Sequence, residues 1–167
     1  MIGLALNHFN MYKDNHIKFQ EIERKFCQSA NMFSEFKQAS KEEDMYEHWD
    51  IKMSLKVDVK AMKKIHRQDK SANENIHYVE LKNVNGKKGW LYGDADYFAF
   101  ETEDYFVMVS KVKLQEFIAN KCKNKELCSY PQLYKLYSRD GRQDMVTLVK
   151  TIDLIYISDK IIDKNGK

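Results

Sequence analysis

A run of alternating side chains between Met53 and Ala61 constrains this chain more than any other stretch. Apolar residues occupy one parity and polar residues the other: Met53, Leu55, Val57, Val59 and Ala61 alternate with Ser54, Lys56, Asp58 and Lys60. Period-two alternation predicts a half-buried β-strand. Asp58 and Lys60 are therefore expected to project from the same face of a sheet.

A second aspartate, Asp50, lies eight residues before Asp58, with Ser54 at the midpoint. If the chain reverses over residues 53–55, the two aspartates become cross-strand neighbours with Cβ atoms roughly 5 Å apart. Two facing carboxylates repel each other unless a positive charge lies between them. The spacing therefore predicts a divalent-cation site, and oxygen ligands suit magnesium or calcium.

The composition favours one globular domain over residues 1–167, with a core at about 17–157 and peripheral segments at 1–16 and 158–167. Hydrophobic residues make up 43% of the 167 residues, and one proline and six glycines form no linker-like stretch. The net charge of +3 permits nucleic-acid binding without requiring it.

Three cysteines, Cys27, Cys122 and Cys128, show no spacing typical of zinc ligands. They indicate reduced thiols and a cytoplasmic protein. The apolar start lacks the basic lead-in of a signal peptide, and no apolar run reaches membrane-spanning length, so no membrane association is expected.

The periodicity of the rest of the chain predicts an α/β (α+β) fold with a central mixed, mostly antiparallel sheet flanked by helices. Residues 34–47 are expected to be a polar connection and 63–75 a loop without regular structure. Predicted helices cover 17–33, 111–121 and 153–157; predicted further strands cover 76–84, 95–101, 105–109 and 145–150.

Glu23 falls inside the apolar stripe of the first predicted helix, four residues after Phe19 and three before Phe26. A carboxylate in such a stripe needs a partner, because burying it alone is costly. Two interpretations are open: Glu23 pairs with a lysine or lies at the rim of the stripe, or it points at the same site as the two aspartates.

The helix acid Glu23, the hairpin aspartate Asp50 and the tripeptide Asp58-Val59-Lys60 together resemble the PD-(D/E)XK nuclease superfamily, which includes restriction enzymes and Holliday-junction resolvases. The later run from Glu80 to Trp90, followed by Ala95-Asp96-Tyr97, resembles small phage and bacterial nucleases of this superfamily. The resemblance covers about residues 17–110 and implies a restriction-endonuclease-like fold. Two departures matter: Trp49 stands where the family often has proline, and Glu80-Leu81-Lys82 is a rival E-x-K tripeptide that would make Glu80 the metal ligand.

The resemblance implies a DNA endonuclease that uses Mg²⁺ (or Mn²⁺), with a homodimer left open because junction-cutting relatives act as dimers. Asp50 and Asp58 would hold the ion with the Val59 carbonyl, Lys60 would orient the attacking water, and Glu23 would assist. A set of basic residues would contact the DNA backbone: Lys63, Lys64, Arg67, Lys70 and Lys82. The alternative is a catalytically inactive module of the same fold that binds nucleic acid or a protein.

Overall fold

The computed structural model describes residues 18–29, 37–52, 55–66, 68–122 and 127–165. Within these ranges the chain is an α+β fold. The helices are α1 (residues 18–29), α2 (Lys41–Glu47), α3 (Lys111–Lys121) and α4 (Thr151–Ile157), with a 3₁₀ turn at Trp90–Tyr92. The strands are β1 (Lys37–Gln38), β2 (Ile51–Lys52), β3 (Lys56–Lys60), β4 (Ile76–Lys82), β5 (Tyr97–Glu101), β6 (Tyr105–Ser110), β7 (Leu127–Cys128), β8 (Leu136–Tyr137), β9 (Met145–Lys150) and β10 (Lys160–Asp163). None of the helices described is both long enough and apolar enough to cross a membrane.

The larger sheet has the strand order β1-β2-β3-β5-β6-β10 and is mixed, since β3 and β5 run parallel while the other neighbours run antiparallel. It is covered on both faces. Phe26 of α1 packs against one face with Ala99. Phe98 and Phe100 pack into a second cluster with residues of β4, β9, α3 and α4. The mixed, mostly antiparallel sheet flanked by helices is thus confirmed.

The strand next to β3 is β5 rather than β4. The sequence left open whether the strand at 76–84 lies beside the strand that carries Asp58, which would bring Glu80 close to Asp58 and Lys60; in the structure β5 occupies that place in parallel register. β4 pairs instead with β9 in a second sheet of order β4-β9-β8-β7. The reason is burial: Phe98, Ala99 and Phe100 of β5 are fully buried in succession, as a central strand requires, whereas β4 alternates.

Residues 34–47 are not a plain connection, because they include β1 and α2. Helix α2 begins at a capping box, in which the Ser40 hydroxyl accepts from the Glu43 amide at 3.2 Å and the Glu43 carboxylate accepts from the Ser40 amide at 2.8 Å. Ser-x-x-Glu before a helix is readable in the sequence.

The C-terminal segment 158–167 is not peripheral either, since β10 pairs with β6 and buries Ile162 against α1. Its short apolar pair, Ile161-Ile162, was too brief to indicate a strand by itself. Residues 1–17 and 30–36 lie outside the described residues. Both predicted ends of the first helix, at residues 17 and 33, fall in these ranges.

The hairpin has the register that the sequence predicts. Ile51 pairs with Val57 and Lys52 with Lys56 in antiparallel fashion. One further step in this register places Asp50 opposite Asp58. Asp50 itself lies just before the paired residues, and its amide donates to the carbonyl of Val57 rather than of Asp58, at 3.2 Å.

His77 gives the fold a pH dependence. Its side chain is 3% exposed, faces the Phe100 ring at 5.2 Å, and leaves Nε2 without a hydrogen-bond partner. Burial lowers the pKa of His77 from 6.5 to about 4. Between these two values the unfolded chain binds more protons than the folded chain, so stability falls as the pH falls.

We expect His77 to account for a loss of about 2 kcal/mol in the free energy of unfolding between pH 7 and pH 5. Urea unfolding at both pH values measures it. The His77→Leu variant should lose correspondingly less, whereas His66→Leu, which changes an exposed histidine, should behave like the wild type. Equal losses in the wild type and His77→Leu would contradict this assignment.

Candidate active site

A cleft of about 340 Å³ opens beside the β2–β3 hairpin, between it and the helices α1 and α2. Residues from separate parts of the predicted site line it together: Glu23, Asp50, Asp58, Val59, Lys60 and Lys63. These side chains come from a helix, a hairpin and the loop after it. The fold therefore brings the main group of predicted site residues to one place.

Local backbone geometry fixes the position of Asp50. This residue precedes β2, and its Oδ2 accepts a hydrogen bond from the Val59 amide at 2.7 Å. The carboxylate thus bridges to the neighbouring strand at the residue between Asp58 and Lys60. The short bond ties Asp50 to the tripeptide even though it lies outside the strand pairing.

Asp58 is a buried carboxylate with an incomplete set of partners. The residue is only 4% exposed, and its Oδ1 forms an ion pair with the Lys60 ammonium. Its Oδ2 is also buried and has no hydrogen-bond partner. Burying an oxygen without a partner costs about 1–3 kcal/mol, and more for a charged group. The position therefore has a physical need for a further donor or a cation.

The pKa of Asp50 is raised well above its ordinary value. Burial is the largest cause, and the neighbouring Asp58 carboxylate is the next, whereas Lys60 acts in the opposite direction. Glu23 raises the pKa of Asp50 further, so its carboxylate interacts electrostatically with Asp50. Negative charge accumulates here beyond what Lys60 neutralises.

Lys60 is held on two sides. Its ammonium forms the ion pair with Asp58 and also lies 4.4 Å from the centre of the Trp90 ring. The indole is itself packed on Phe98, with ring centres 4.8 Å apart. A cation–π contact of this kind is worth about 0.5–2 kcal/mol. The sequence favours Trp90 as a core residue, with base stacking as the alternative, and no pattern in the sequence indicated its contact with Lys60.

Glu23 lies in α1 and lines the cleft, where its Oε2 accepts from the Gln38 amide group at 3.0 Å. Of the two interpretations left open by the sequence, its place beside the aspartates agrees with the second. Phe19, one turn earlier in the helix, is 44% exposed and lines the cleft rather than the core.

Helix α2 adds two residues that the sequence did not indicate as part of the site, Asp44 and His48. His48 ends the helix in a left-handed conformation, with φ of 55°. Recognition of the capping box would have placed a helix directly before Asp50, and with it these two side chains beside the hairpin.

The rival tripeptide lies elsewhere. Glu80 and Lys82 belong to β4 in the second sheet, and Glu80 is not among the residues that line the cleft. The Glu80 carboxylate still interacts with Lys63. It raises the pKa of Lys63, but desolvation and Lys60 lower that pKa by more. Glu80 as a metal ligand depended on a β3–β4 pairing that the structure does not have.

The predicted basic residues are spread more widely than expected. Of these, Lys63 lines the cleft, whereas Lys70 lines a separate cavity with Asp69. The loop has structure of its own, because the Asp69 carboxylate accepts from the amides of Ile65 and His66. Lys64 is exposed, and Arg67 lies outside the described residues.

In the described part of the chain, no three His, Cys, Asp or Glu residues are grouped so as to hold a metal ion. A magnesium site requires less, since Mg²⁺ is commonly bound by one or two carboxylates and completed by water and substrate phosphate. Asp50 and Asp58 are two carboxylates that line the same cleft, and the Asp58 Oδ2 is buried and has no hydrogen-bond partner.

Comparison with known proteins adds no relative. No protein-family model, curated protein or solved structure matches the chain. Any assignment to a superfamily therefore depends on the residues of this cleft and on the elements that position them.

Neutralising Asp50 should stabilise the protein when metal is absent. Its raised pKa means that the ionised form opposes folding, and this cost is fully present at pH values above the folded pKa. In EDTA at pH 8, Asp50→Asn should gain about 0.5–2 kcal/mol in urea unfolding, because the amide oxygen still accepts from Val59. The exposed Asp104→Asn is the control and should change little. A clear loss of stability in Asp50→Asn would contradict the electrostatic account.

Proposed function

We propose that this chain is a metal-dependent nuclease of the PD-(D/E)XK type that hydrolyses DNA phosphodiester bonds internally. One observation carries the proposal: Glu23, Asp50, Asp58 and Lys60 meet in one cleft, and a buried oxygen of Asp58 has no partner there. A buried, unsatisfied carboxylate is costly for the fold. Such costs are typical of functional sites.

The carboxylates of Asp50 and Asp58 are the ligands proposed for Mg²⁺ or Mn²⁺, with the Val59 carbonyl as a further oxygen. A divalent ion bound there would lower the pKa of a bound water and polarise the phosphate. The Val59 amide holds Asp50 by a 2.7 Å hydrogen bond, which orients this ligand in advance.

Lys60 is the residue proposed to orient the attacking water and to balance negative charge on the phosphate. In the structure its ammonium pairs with Asp58 and rests on Trp90. A cation between the aspartates would compete for the same carboxylate, so the ammonium would be released toward the cleft. Glu23, at the α1 side of the cleft, is proposed to act through water or a second ion.

Lys63 extends the cleft on the side of the loop that follows β3. Desolvation, Lys60 and Arg139 all lower its pKa, while Glu80 and Asp58 act against them. A lysine crowded by other cations gains from an approaching phosphate group, which relieves the repulsion. Lys63 is therefore the residue of the predicted basic set that best suits a phosphate next to the reacting one.

A second candidate function is a module of the same fold that binds DNA without cutting it. The observation that favours it is the ion pair itself: Lys60 already neutralises one oxygen of Asp58. The described residues also offer two close aspartates rather than a larger ligand group. Such a module would bind DNA equally well in EDTA and would not gain stability from Mg²⁺.

Cleavage should require both the carboxylates and the lysine. Incubation of linear, circular and branched DNA with Mg²⁺ should yield cleavage that EDTA abolishes, and nicking of circular DNA would identify an endonuclease. Asp58→Asn and Lys60→Ala should each reduce the rate at least about 100-fold, since they remove a ligand and the group proposed to orient water.

The matched controls are Asp159→Asn and Lys113→Ala, which open a 2.6 Å ion pair between two residues that do not line the cleft. Both controls should retain cleavage. Thermal unfolding and circular dichroism of all four variants separate loss of activity from loss of structure. Cleavage that persists in folded Asp58→Asn and Lys60→Ala would overturn the site, and DNA binding without any cleavage would favour the second candidate.

A further inference from the structure

Two loops at one end of the second sheet carry a concentration of positive charge. Their exposed cations, here called the basic rim, are Lys82, Lys87, Lys88, Arg139 and Arg142. The segment 82–89 contains no acidic residue, and 138–144 contains two. The rim lies where Lys82 pairs with Met145. The predicted function used only Lys82 from this set.

Most of the rim charge is unpaired. Asp144 is buried and binds the Arg139 guanidinium, and it also accepts from the Arg139 amide at 3.3 Å. This ion pair anchors the second loop and compensates one of its charges. Within the described ranges the other four cations of the rim form no ion pair, although Asp140 lies in the second loop and Glu80 lies against Gly89 at the end of the first.

The two loops are built as one unit. The Gln143 amide donates to the Val84 carbonyl across the loops at 3.4 Å. The Asn83 side chain accepts from the amides of Asn85 and Lys87, each at 3.0 Å. Gly86 has a φ of 75°, which favours glycine, and its Cα faces the Gln143 side chain. The cations are thus presented by loops whose backbones are held in place before any ligand binds.

Two interactions link the rim loops to residues of the cleft. Gly89, which ends the first loop, donates to the Leu81 carbonyl at 3.0 Å, and its lack of a side chain allows close approach to Glu80. Trp90 follows directly and contacts Lys60. From the second loop, Arg139 is close enough to Lys63 to lower its pKa.

We infer that the basic rim binds the phosphodiester backbone of duplex DNA and holds it against the cleft. Unpaired, exposed cations on a fixed surface are suited to sequence-independent contact with phosphates. Single-stranded nucleic acid is commonly held by exposed aromatic side chains that stack on bases, and neither 82–89 nor 138–144 contains an aromatic residue. The flanking aromatics, Tyr137 and Trp90, are half-buried, and Trp90 is packed against Phe98 and Lys60. The position of the DNA against the cleft rests on the proposed function, whereas the binding surface itself uses residues other than the carboxylates and Lys60.

The test is the binding of a fluorescein-labelled 20-base-pair duplex to the full chain in EDTA, followed by anisotropy between 50 and 300 mM NaCl. The rim variant combines Lys87→Gln, Lys88→Gln and Arg142→Gln. We expect the slope of log K against log [NaCl] to become shallower by about 2–3, and affinity at 0.1 M NaCl to fall at least about tenfold.

The matched control removes the same charge elsewhere through Lys113→Gln, Lys121→Gln and Lys150→Gln. All three residues are exposed, and Lys150 pairs with Ile76 at the opposite end of β4. This control should retain nearly the wild-type slope. Equal effects of the two variants would overturn the inference, because net charge alone would then explain binding.

A labelled single strand of 20 nucleotides should bind more weakly than the duplex, and tighter binding of the single strand would also overturn the inference. Failure of the two proposals can be told apart. A chain that binds duplex DNA through the rim but never cuts it refutes the nuclease and leaves the rim intact. A chain that cuts DNA while the rim variant binds normally refutes the rim alone.

Discussion

The buried carboxylate of Asp58 is the constraint on which the rest of the site depends. It lies on a strand that is covered on both faces, with one oxygen paired to Lys60 and the other unpaired. A second carboxylate, Asp50, lines the same cleft and is held in place by the Val59 amide. Placing two acids together in a region of low polarity is unfavourable unless cations compensate. Lys60 and its support by Trp90 are the compensation that the fold itself supplies.

The packing of the sheets explains why this cost does not unfold the protein. β5 lies in parallel beside β3 and buries Phe98 and Phe100 on one face and Ala99 on the other, so the strand that carries Asp58 is anchored along its length. The unfavourable charges are confined to one side of the hairpin and to the cleft. The packed strands hold the carboxylates in fixed positions, although their mutual repulsion lowers stability locally. Such an arrangement is common for sites that bind cations or catalyse reactions.

The hairpin and its pair of aspartates were predictable, because alternation and an eight-residue spacing are local properties of the chain. The strand that pairs with β3 could not be predicted in the same way. The alternation of β4 is compatible with an edge strand or a half-covered strand, and only the burial of successive residues in β5 shows that β5 is the central neighbour. The contact between Lys60 and Trp90 joins residues 30 positions apart and leaves no periodic trace. Helix α2 could have been predicted, since Ser40 and Glu43 form a capping box that the sequence shows. Because this helix was not predicted, Asp44 and His48 were not expected beside the hairpin.

Charge explains how an acidic cleft and a basic rim work together in the proposed nuclease. A phosphate that approaches Asp50 and Asp58 meets repulsion, which falls off within a Debye length of about 10 Å at 0.1 M salt. The rim carries cations without ion pairs on loops that do not line the cleft, so in the proposed nuclease it attracts the DNA backbone through residues other than the two aspartates. Attraction at the rim and neutralisation of the aspartates are then separate tasks. Loss of the rim cations weakens DNA binding and makes it less dependent on salt. Loss of the cation that neutralises the aspartates stops the reaction while the DNA stays bound.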